Sequence, residues 1–188
     1  PIIVLRFGPL ISDRIGHFAA NTELYLYEKS YLKNNNKHKD FFYLRYPISN
    51  NYLLKMWRRR LRIHEFFRNI DLINRFIPGG LDHVIVLPSD RDTQGFLSDS
   101  KPHIYFSDRE LEDGKIFLDS IGISNNKFIC FHTRDPQYLQ SLTRIQCRNR
   151  PEKLKSRKHD YRNSDIKNCI PAMDTLTDIG YHCFRMGA

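Results

Sequence analysis

Short apolar runs alternate with helical segments along the whole chain, and this alternation constrains the fold more than any other feature. The predicted strands are residues 2–7, 41–45, 83–87, 127–131 and 181–186. The predicted helices are residues 17–32, 50–76, 108–121 and 171–179. Strands that alternate with helices predict an α/β class with mostly parallel strands.

The strand–helix pattern restarts after Gly122, which predicts a domain boundary near residues 122–126. The first predicted domain, residues 1–125, contains three strands. The second, residues 126–188, contains two, which is too few for an independent sheet. The chain opens at Pro1 and both ends lie beside apolar runs, so we expect a fragment of a longer protein.

The chain is basic, with 30 Lys and Arg against 21 Asp and Glu and a formal charge of +9. This balance favours anionic partners: nucleic acid, phosphorylated small molecules or an anionic membrane surface. The four cysteines show neither paired nor zinc-like spacing. Cys130 and Cys183 lie in apolar strand-like runs, which predicts reduced core residues in a cytosolic protein.

Candidate functional residues follow the predicted strands, because ligands in open α/β sheets bind beyond the carboxyl ends of the strands. Arg14, Gly16 and His17 follow the first strand, and His132 and Arg134 follow the fourth. The Arg134 fork suits a diphosphate, although a surface pair with the next residue, an aspartate, is the alternative. Gly16 would let a ligand approach the backbone, and His17 is either a general base or a helix-capping residue.

A dense polar run precedes the last predicted helix and contains Asn163, Ser164 and Asp165. Asn163 or Ser164 suits a helix N-cap, and Asp165 suits the first helical turn. The alternative is a loop that contacts sugar or phosphate, since the run carries hydrogen-bonding side chains of several types.

Two further patterns are charged. In the long predicted helix, Lys55, Arg58, Arg59 and Arg62 share one face, opposite an apolar face that contains Trp57. A solvated face, a membrane-surface contact and nucleic-acid binding are the alternatives, and the last is least favoured because the aromatic rings lie away from the cations.

The acids that follow the third predicted strand form the second pattern. They include an Asp-x-Asp arrangement, which is found in metal-dependent nucleotide-sugar enzymes but is common in turns. A turn is the favoured interpretation, and we predict no metal site. The acids are Asp90, Asp92 and Asp99.

Four strings together resemble a family of bacterial glycosyltransferases associated with surface-polysaccharide biosynthesis. They occur in the same order as in the family and span nearly the whole chain. The strings are Arg14-Ile15-Gly16-His17-Phe18, Phe131-His132-Thr133-Arg134-Asp135, residues 159–166 and Phe184-Arg185-Met186-Gly187.

The resemblance implies a GT-B architecture, in which two Rossmann-like domains face each other across a cleft without an obligatory metal. The second domain, which would be truncated here, holds most of the donor nucleotide. His132-x-Arg134 is also similar to the His-x-Arg motif of fucosyltransferase-like GT-B enzymes, whose arginine contacts the donor phosphate. Here Asp135 directly follows the arginine, whereas in that motif the acid usually lies further on.

The implied activity is sugar transfer from a nucleotide-diphosphate sugar to a surface polysaccharide, another glycan or a lipid-linked acceptor. Arg134 would bind the diphosphate with His132, Asn163 and Ser164. Asp165 would orient these groups or cap its helix. Arg14, Gly16 and His17 would face the acceptor, with His17 as the base of an inverting reaction.

The resemblance implies no cofactor beyond the nucleotide sugar and no nucleic-acid partner. It implies a cytoplasmic location and allows a peripheral contact with the inner face of the plasma membrane. The alternative from another class is a non-enzymatic α/β module that binds polyanions or nucleic acid through its net charge.

Overall fold

A computed structural model describes residues 3–31, 37–88, 92, 95–99, 101–123, 127–133 and 163–186. The chain divides into two compact units, Pro1–Ser107 and Asp108–Ala188. The division lies upstream of the boundary predicted near residues 122–126, and it groups the helix after Ser107 with the second unit. Each unit contains parallel strands and helices, so the predicted α/β class is confirmed.

The first unit contains a parallel sheet whose described strands have the order β1-β2-β3. Phe7 of the first strand lies opposite Phe41 of the second, and Phe41 lies opposite Arg62 of the third. The elements are β1 (Val4–Leu10), α1 (Ile15–Tyr31), β2 (His38–Leu44), α2 (Asn51–Arg58), β3 (Arg62–Ile63), α3 (Phe66–Asn74), a 3-10 helix (Gly80–His83) and α4 (Phe96–Asp99).

Helices cover both faces of this sheet. Alternate strand residues point to opposite sides, so each strand contributes side chains to both of these contacts. On one side, Leu10, Phe42 and Leu44 pack in a buried cluster with α1 and α2. Trp57 in α2 is fully buried there, and its Nε1 donates to the carbonyl oxygen of Phe18 at 3.1 Å. On the other side, an aromatic cluster joins the strands to α3. Its members are Phe7, Phe41 and Phe67.

The single long helix predicted over residues 50–76 is wrong. The structure has α2 and α3, separated by the short strand β3. After α2, Arg62 and Ile63 pair with the outer edge of β2, and the amide of His64 donates to the carbonyl oxygen of Phe42 at 2.9 Å. The backbone groups of β2 require partners, and satisfying them outweighs the local helical pattern.

The strand predicted over residues 83–87 is also wrong, since the segment forms one bridge, between Phe7 and Val84. The amide of Ile85 donates to the carbonyl oxygen of Phe7 at 2.7 Å. In a parallel ladder the next donor would be the amide of residue 9. Pro9 has no amide proton, so the ladder stops, although Pro9 itself stays in β1 opposite Tyr43 of β2.

A buried carboxylate joins β1, β2 and α1. Arg6 Nε donates to Asp40 Oδ1 at 2.8 Å, and Tyr25 and Lys29 both donate to Oδ2. Burial alone would raise the pKa of Asp40, but the hydrogen bonds from Arg6, Lys29 and Tyr25 together hold it below its ordinary value. Burial, followed by the hydrogen bond to Asp40, raises the pKa of Tyr25. The phenol therefore remains a donor at neutral pH.

The second unit contains a sheet in which β4 and β5 are parallel, with Phe128 opposite His182. Cys183 is half-buried, but Cys130 is exposed, so the prediction that both lie in a core is wrong for Cys130. Among the described residues of this unit, only Ile123 is buried. The elements are α5 (Asp108–Ser120), β4 (Phe128–His132), a 3-10 helix (Ile166–Cys169), α6 (Ile170–Asp178) and β5 (His182–Met186).

Within the described parts of both units, no helix combines the length and the apolar character needed to cross a membrane.

We predict that Asp40→Asn lowers the free energy of unfolding by roughly 3 kcal/mol at pH 7, because Arg6 and Lys29 lose a buried counter-charge. Urea unfolding followed by the fluorescence of Trp57, the single tryptophan, measures the effect. The exposed Asp82→Asn is the matched control and should change stability by less than about 0.5 kcal/mol.

The same comparison has a pH dependence. The pKa of Asp40 is lower in the folded than in the unfolded state, so its stabilising effect is complete above the ordinary value of 3.8. It is lost as the pH falls further. The stability difference between the wild type and Asp40→Asn should therefore narrow below pH 3.8, and an unchanged difference would contradict this account.

Candidate functional site at the carboxyl ends of the strands

A buried serine ties together the loops that follow β1 and β2. Ser12 Oγ accepts from the amide of Arg45 at 2.8 Å and donates to the carbonyl oxygen of Arg45 at 2.6 Å. The carbonyl oxygen of Ser12 accepts from the amide of Ser49 at 2.8 Å. Arg45 directly follows β2, so these bonds fix its backbone at the carboxyl edge of the sheet.

The predicted acceptor-side residues lie where α1 begins. The carbonyl oxygen of Arg14 accepts from the amide of Phe18 at 2.8 Å, and Gly16 and His17 lie in the first turn. Arg14 and Gly16 are exposed, and His17 is half-buried. A Cβ on Gly16 would meet no atom within 4 Å, so no described protein contact requires glycine there. The start of this 17-residue helix favours a nearby anion.

A cleft of about 260 Å³ opens at this edge of the sheet, on the side covered by α3. Apolar residues form most of its wall, and two arginines complete it. Arg45 comes from the end of β2, and Arg75 from the end of α3. The lining residues are Pro9, Ile11, Arg45, Arg75, Val84, Ile85, Val86 and Leu87.

The buried carboxylate of Asp71 holds Arg75. The side chain of Asp71 is 0% exposed, whereas that of Arg75 is 41% exposed. Asp71 Oδ2 accepts from Arg75 Nη2 at 2.9 Å, from Arg75 Nε at 3.2 Å and from the Tyr43 hydroxyl at 2.8 Å. Burial and the bond to Asp71 raise the pKa of Tyr43 to about 12, so the phenol remains a donor at neutral pH. The hydrogen bonds that Arg75 donates to Asp71 also raise the pKa of Arg75.

Beyond the end of β3, side chains form the hydrogen bonds with the backbone at the edge of β2. Glu65 Oε1 accepts from the amide of Leu44 at 3.0 Å, and Arg68 Nη2 donates to the carbonyl oxygen of Leu44. Arg68 also bonds Glu65 at 3.1 Å, and its guanidinium lies 5.3 Å from the centre of the Tyr43 ring. Glu65 and Arg68 thus complete a short sheet edge beside the Tyr43–Asp71 pair.

The predicted donor-side residues belong to the second unit. His132 is the exposed last residue of β4, opposite Met186 of β5, whereas Arg134 lies outside the described residues. Asp165 Oδ1 accepts from the amide of Lys167 at 2.9 Å and caps the 3-10 helix, which contacts β4. Capping was one of the two roles predicted for Asp165.

The other two polar residues of this segment immediately precede Asp165. Asn163 is half-buried and Ser164 is exposed. All three residues belong to the same unit as His132, and the 3-10 helix that follows them contacts the strand that His132 ends.

The continuous basic helix face predicted for Lys55, Arg58, Arg59 and Arg62 does not form, because α2 ends at Arg58 and Arg62 lies in β3. Arg60 Nε donates to the carbonyl oxygen of His103 at 2.6 Å. Arg59 Nη1 donates to that of Tyr105 at 3.4 Å. These two cations thus hold a neighbouring segment of the chain.

The aspartates considered for an Asp-x-Asp motif have a local structural role where they are described. Asp92 accepts from the amides of Phe96 and Leu97 at 2.9 and 2.8 Å, which caps α4. Asp90 lies outside the described residues. Within the described ranges, no group of three or more His, Cys, Asp or Glu side chains is arranged to hold a metal ion.

Sequence reasoning missed Arg45, Asp71 and Arg75. The strand-end rule that selected His17 and His132 would also have selected Arg45, which directly follows the second strand. Asp71 and Arg75 carried no such signal. They lay inside the single long helix predicted over residues 50–76, whereas in the structure β3 separates α2 from α3 and α3 packs on the sheet.

No family model, no curated protein and no solved structure matches the chain. The chemistry of these residues, their placement at strand ends and the resemblance of the four strings remain as the indications of function.

We predict that Ser12→Ala lowers the free energy of unfolding by about 1–2 kcal/mol, because both backbone groups of Arg45 lose a buried partner. Ser30→Ala is the matched control, since the exposed Ser30 hydroxyl bonds only the carbonyl oxygen of Tyr27 within α1. Urea unfolding monitored by Trp57 fluorescence compares the two variants. Equal losses would show that Ser12 does not tie the loops together.

Proposed function

We propose that this chain belongs to a GT-B-type glycosyltransferase that transfers a sugar from a nucleotide-diphosphate donor to a surface glycan or lipid-linked acceptor. The observation that carries the proposal is the position of the candidate residues at the carboxyl ends of parallel strands. His132 ends β4, and Arg14 and His17 begin the helix after β1. Ligands of open α/β sheets bind at such positions, and the resemblance of the four strings supports the same activity.

The donor would bind in the second unit. Arg134 follows His132 by two residues, and its guanidinium fork suits the two oxygens of a diphosphate. His132 would support that contact, and Asn163 and Ser164 would offer hydrogen bonds to sugar or phosphate. The capping bond of Asp165 fixes the start of the segment beside β4.

The acceptor would bind in the first unit. In an inverting reaction, the acceptor hydroxyl oxygen attacks the anomeric carbon while the bond from that carbon to the diphosphate oxygen breaks. His17 would take the hydroxyl proton, and Arg134 would stabilise the negative charge that develops on the leaving diphosphate. Arg14 and Gly16 would contact the acceptor at the start of α1.

The proposal includes the GT-B arrangement of two Rossmann-like domains, a metal-independent mechanism and a cytoplasmic location that allows peripheral contact with the inner face of the plasma membrane. The parallel strands of each unit are compatible with Rossmann-like domains. The nucleotide sugar would be a substrate, and no separate cofactor would be needed.

We predict that one nucleoside diphosphate raises the melting temperature of the protein by roughly 5–10 °C at a hundredfold excess over its Kd. Arg134→Ala should abolish the shift, because the diphosphate loses its bidentate partner. Differential scanning fluorimetry with a panel of nucleoside diphosphates and nucleotide sugars measures the shift. Arg109→Ala is the matched control, since its side chain is 92% exposed and makes one weak ion pair at 4.0 Å.

A different result would favour the polyanion-binding module. That module predicts no shift with any nucleotide, tight and salt-sensitive binding to polyanions, and equal tolerance of Arg134→Ala and Arg109→Ala. Such a result would overturn the glycosyltransferase proposal.

We predict that a paired substitution separates the two roles of Asp165. Asparagine caps helices as well as aspartate does, so Asp165→Asn should retain stability, whereas Asp165→Ala should lose about 1 kcal/mol. If Asp165 also orients the donor-binding groups by its charge, Asp165→Asn should lower kcat by tenfold or more. Urea unfolding and a sugar-transfer assay measure the two effects, and full activity of Asp165→Asn would leave capping as its role.

A further inference from the structure

We propose that the cleft between Arg45 and Arg75 in the first unit binds a phosphate group. The assignment of that phosphate to the acceptor rests on the proposed function, whereas the binding of phosphate does not. In the sugar-transfer reaction the ligand would be the phosphate of the acceptor, whereas the donor diphosphate would bind at Arg134 of the second unit.

The guanidinium of Arg45 is available for an anion. Its side chain is exposed and makes no ion pair or hydrogen bond with any residue in the described ranges. Its backbone, in contrast, is fixed on both sides by Ser12 Oγ. A cation on a fixed backbone at the mouth of a cleft reduces the ordering cost of ligand binding.

Arg75 is oriented by groups that do not themselves line the cleft. Arg75 donates to Asp71 once from Nε and once from Nη2, and both bonds end on the same oxygen, Oδ2. The third nitrogen of the guanidinium, Nη1, has no partner among the described residues. Asp71 Oδ1 is buried and has no hydrogen-bond partner in the described part of the chain. The two bonds to buried Asp71 therefore hold one side of the Arg75 guanidinium, and Nη1 remains as a donor for a ligand.

The apolar wall and the size of the cleft limit the ligand. Pro9, Ile11 and residues 84–87 line the cleft beside the two arginines and offer contact to an apolar part of a ligand. The volume of about 260 Å³ lies below the roughly 300–1,000 Å³ of pockets for drug-sized ligands. A phosphate with an apolar neighbour fits this combination better than an entire nucleotide does.

Phosphate is favoured over carboxylate by charge. Asp71 offsets one of the two cations, and the second cation has no described counter-charge. A phosphate monoester carries about −1.5 to −2 at pH 7 and offers three acceptor oxygens, which suits two guanidinium groups that approach from different elements. A carboxylate carries one charge and satisfies a single fork.

Isothermal titration calorimetry at fixed ionic strength tests the cleft with inorganic phosphate, hexyl phosphate and acetate. We expect saturable binding of phosphate and at least tenfold tighter binding of hexyl phosphate, whose alkyl chain would contact the apolar wall. Arg45→Gln should weaken both by tenfold or more. Arg58→Gln removes the same charge from an exposed site on α2 and should leave binding unchanged.

Arg75→Gln should weaken binding similarly, but it also removes a partner of buried Asp71 and can destabilise the unit. Arg45→Gln, whose side chain has no described partner to lose, therefore decides the result. Equal effects of Arg45→Gln and Arg58→Gln, or acetate binding as tight as phosphate, would overturn the site. Equal affinity for phosphate and hexyl phosphate would overturn its assignment to the acceptor.

This outcome is independent of the nucleotide experiment. Loss of nucleotide binding in Arg134→Ala tests the donor site of the second unit and leaves phosphate binding at Arg45 unaffected. If no nucleotide binds while phosphate still binds at Arg45, the glycosyltransferase proposal fails and the cleft remains.

Discussion

The missing amide proton of Pro9 determines the shape of the sheet edge at which the cleft of the first unit lies. Gly8 allows the chain at Ile85 to approach β1 closely, since a Cβ at position 8 would lie 2.7 Å from both the Cβ and the carbonyl oxygen of Ile85. Pro9 then stops the ladder after a single bridge. The cleft lies where the ladder stops, with Pro9 on one side and residues 84–87 on the other. A donor at position 9 would allow the ladder to continue across that space.

Two buried carboxylates perform different work on opposite faces of the same sheet. Both oxygens of Asp40 accept hydrogen bonds from Arg6, Tyr25 and Lys29, so cations balance its charge. These bonds join β1 and β2 to α1. Asp71 receives its bonds on one oxygen, and Arg75 extends from it to the cleft. Asp40 therefore acts within the sheet and the helix that covers it, whereas Asp71 orients a side chain that lines the cleft.

The sequence predicted the α/β class and the elements whose local signals agree with their tertiary surroundings. The helix after Ser107 is an example, since its predicted bounds of 108–121 differ from Asp108–Ser120 by one residue. The failures occur where the sheet overrides local pattern. Residues 62–63 were predicted to be helical but pair with β2 as a short strand. Residues 83–87 form one bridge to β1, because Pro9 has no amide proton to continue the ladder.

The same distinction applies to the candidate site. Arg14, Gly16, His17 and His132 were predictable because a strand-end rule needs only the order of elements along the chain. Arg75 was not predictable in this way, since its position depends on the break before α3 and on a bond to buried Asp71. Asp165 was predicted either to orient neighbouring groups or to cap its helix, and the structure shows the capping bond from the amide of Lys167.

The net charge of +9 is a weaker guide to function than the position of individual cations. Arg6 and Lys29 neutralise Asp40, Arg68 completes the edge of β2, and Arg59 and Arg60 hold residues 103–105. A polyanion-binding surface needs many cations that face solvent together, yet these five are directed at the protein itself. Arg45 differs because it is exposed at a cleft without a described partner. Binding of a single phosphate at the cleft would therefore depend on the position of Arg45, and the net charge alone would not produce it.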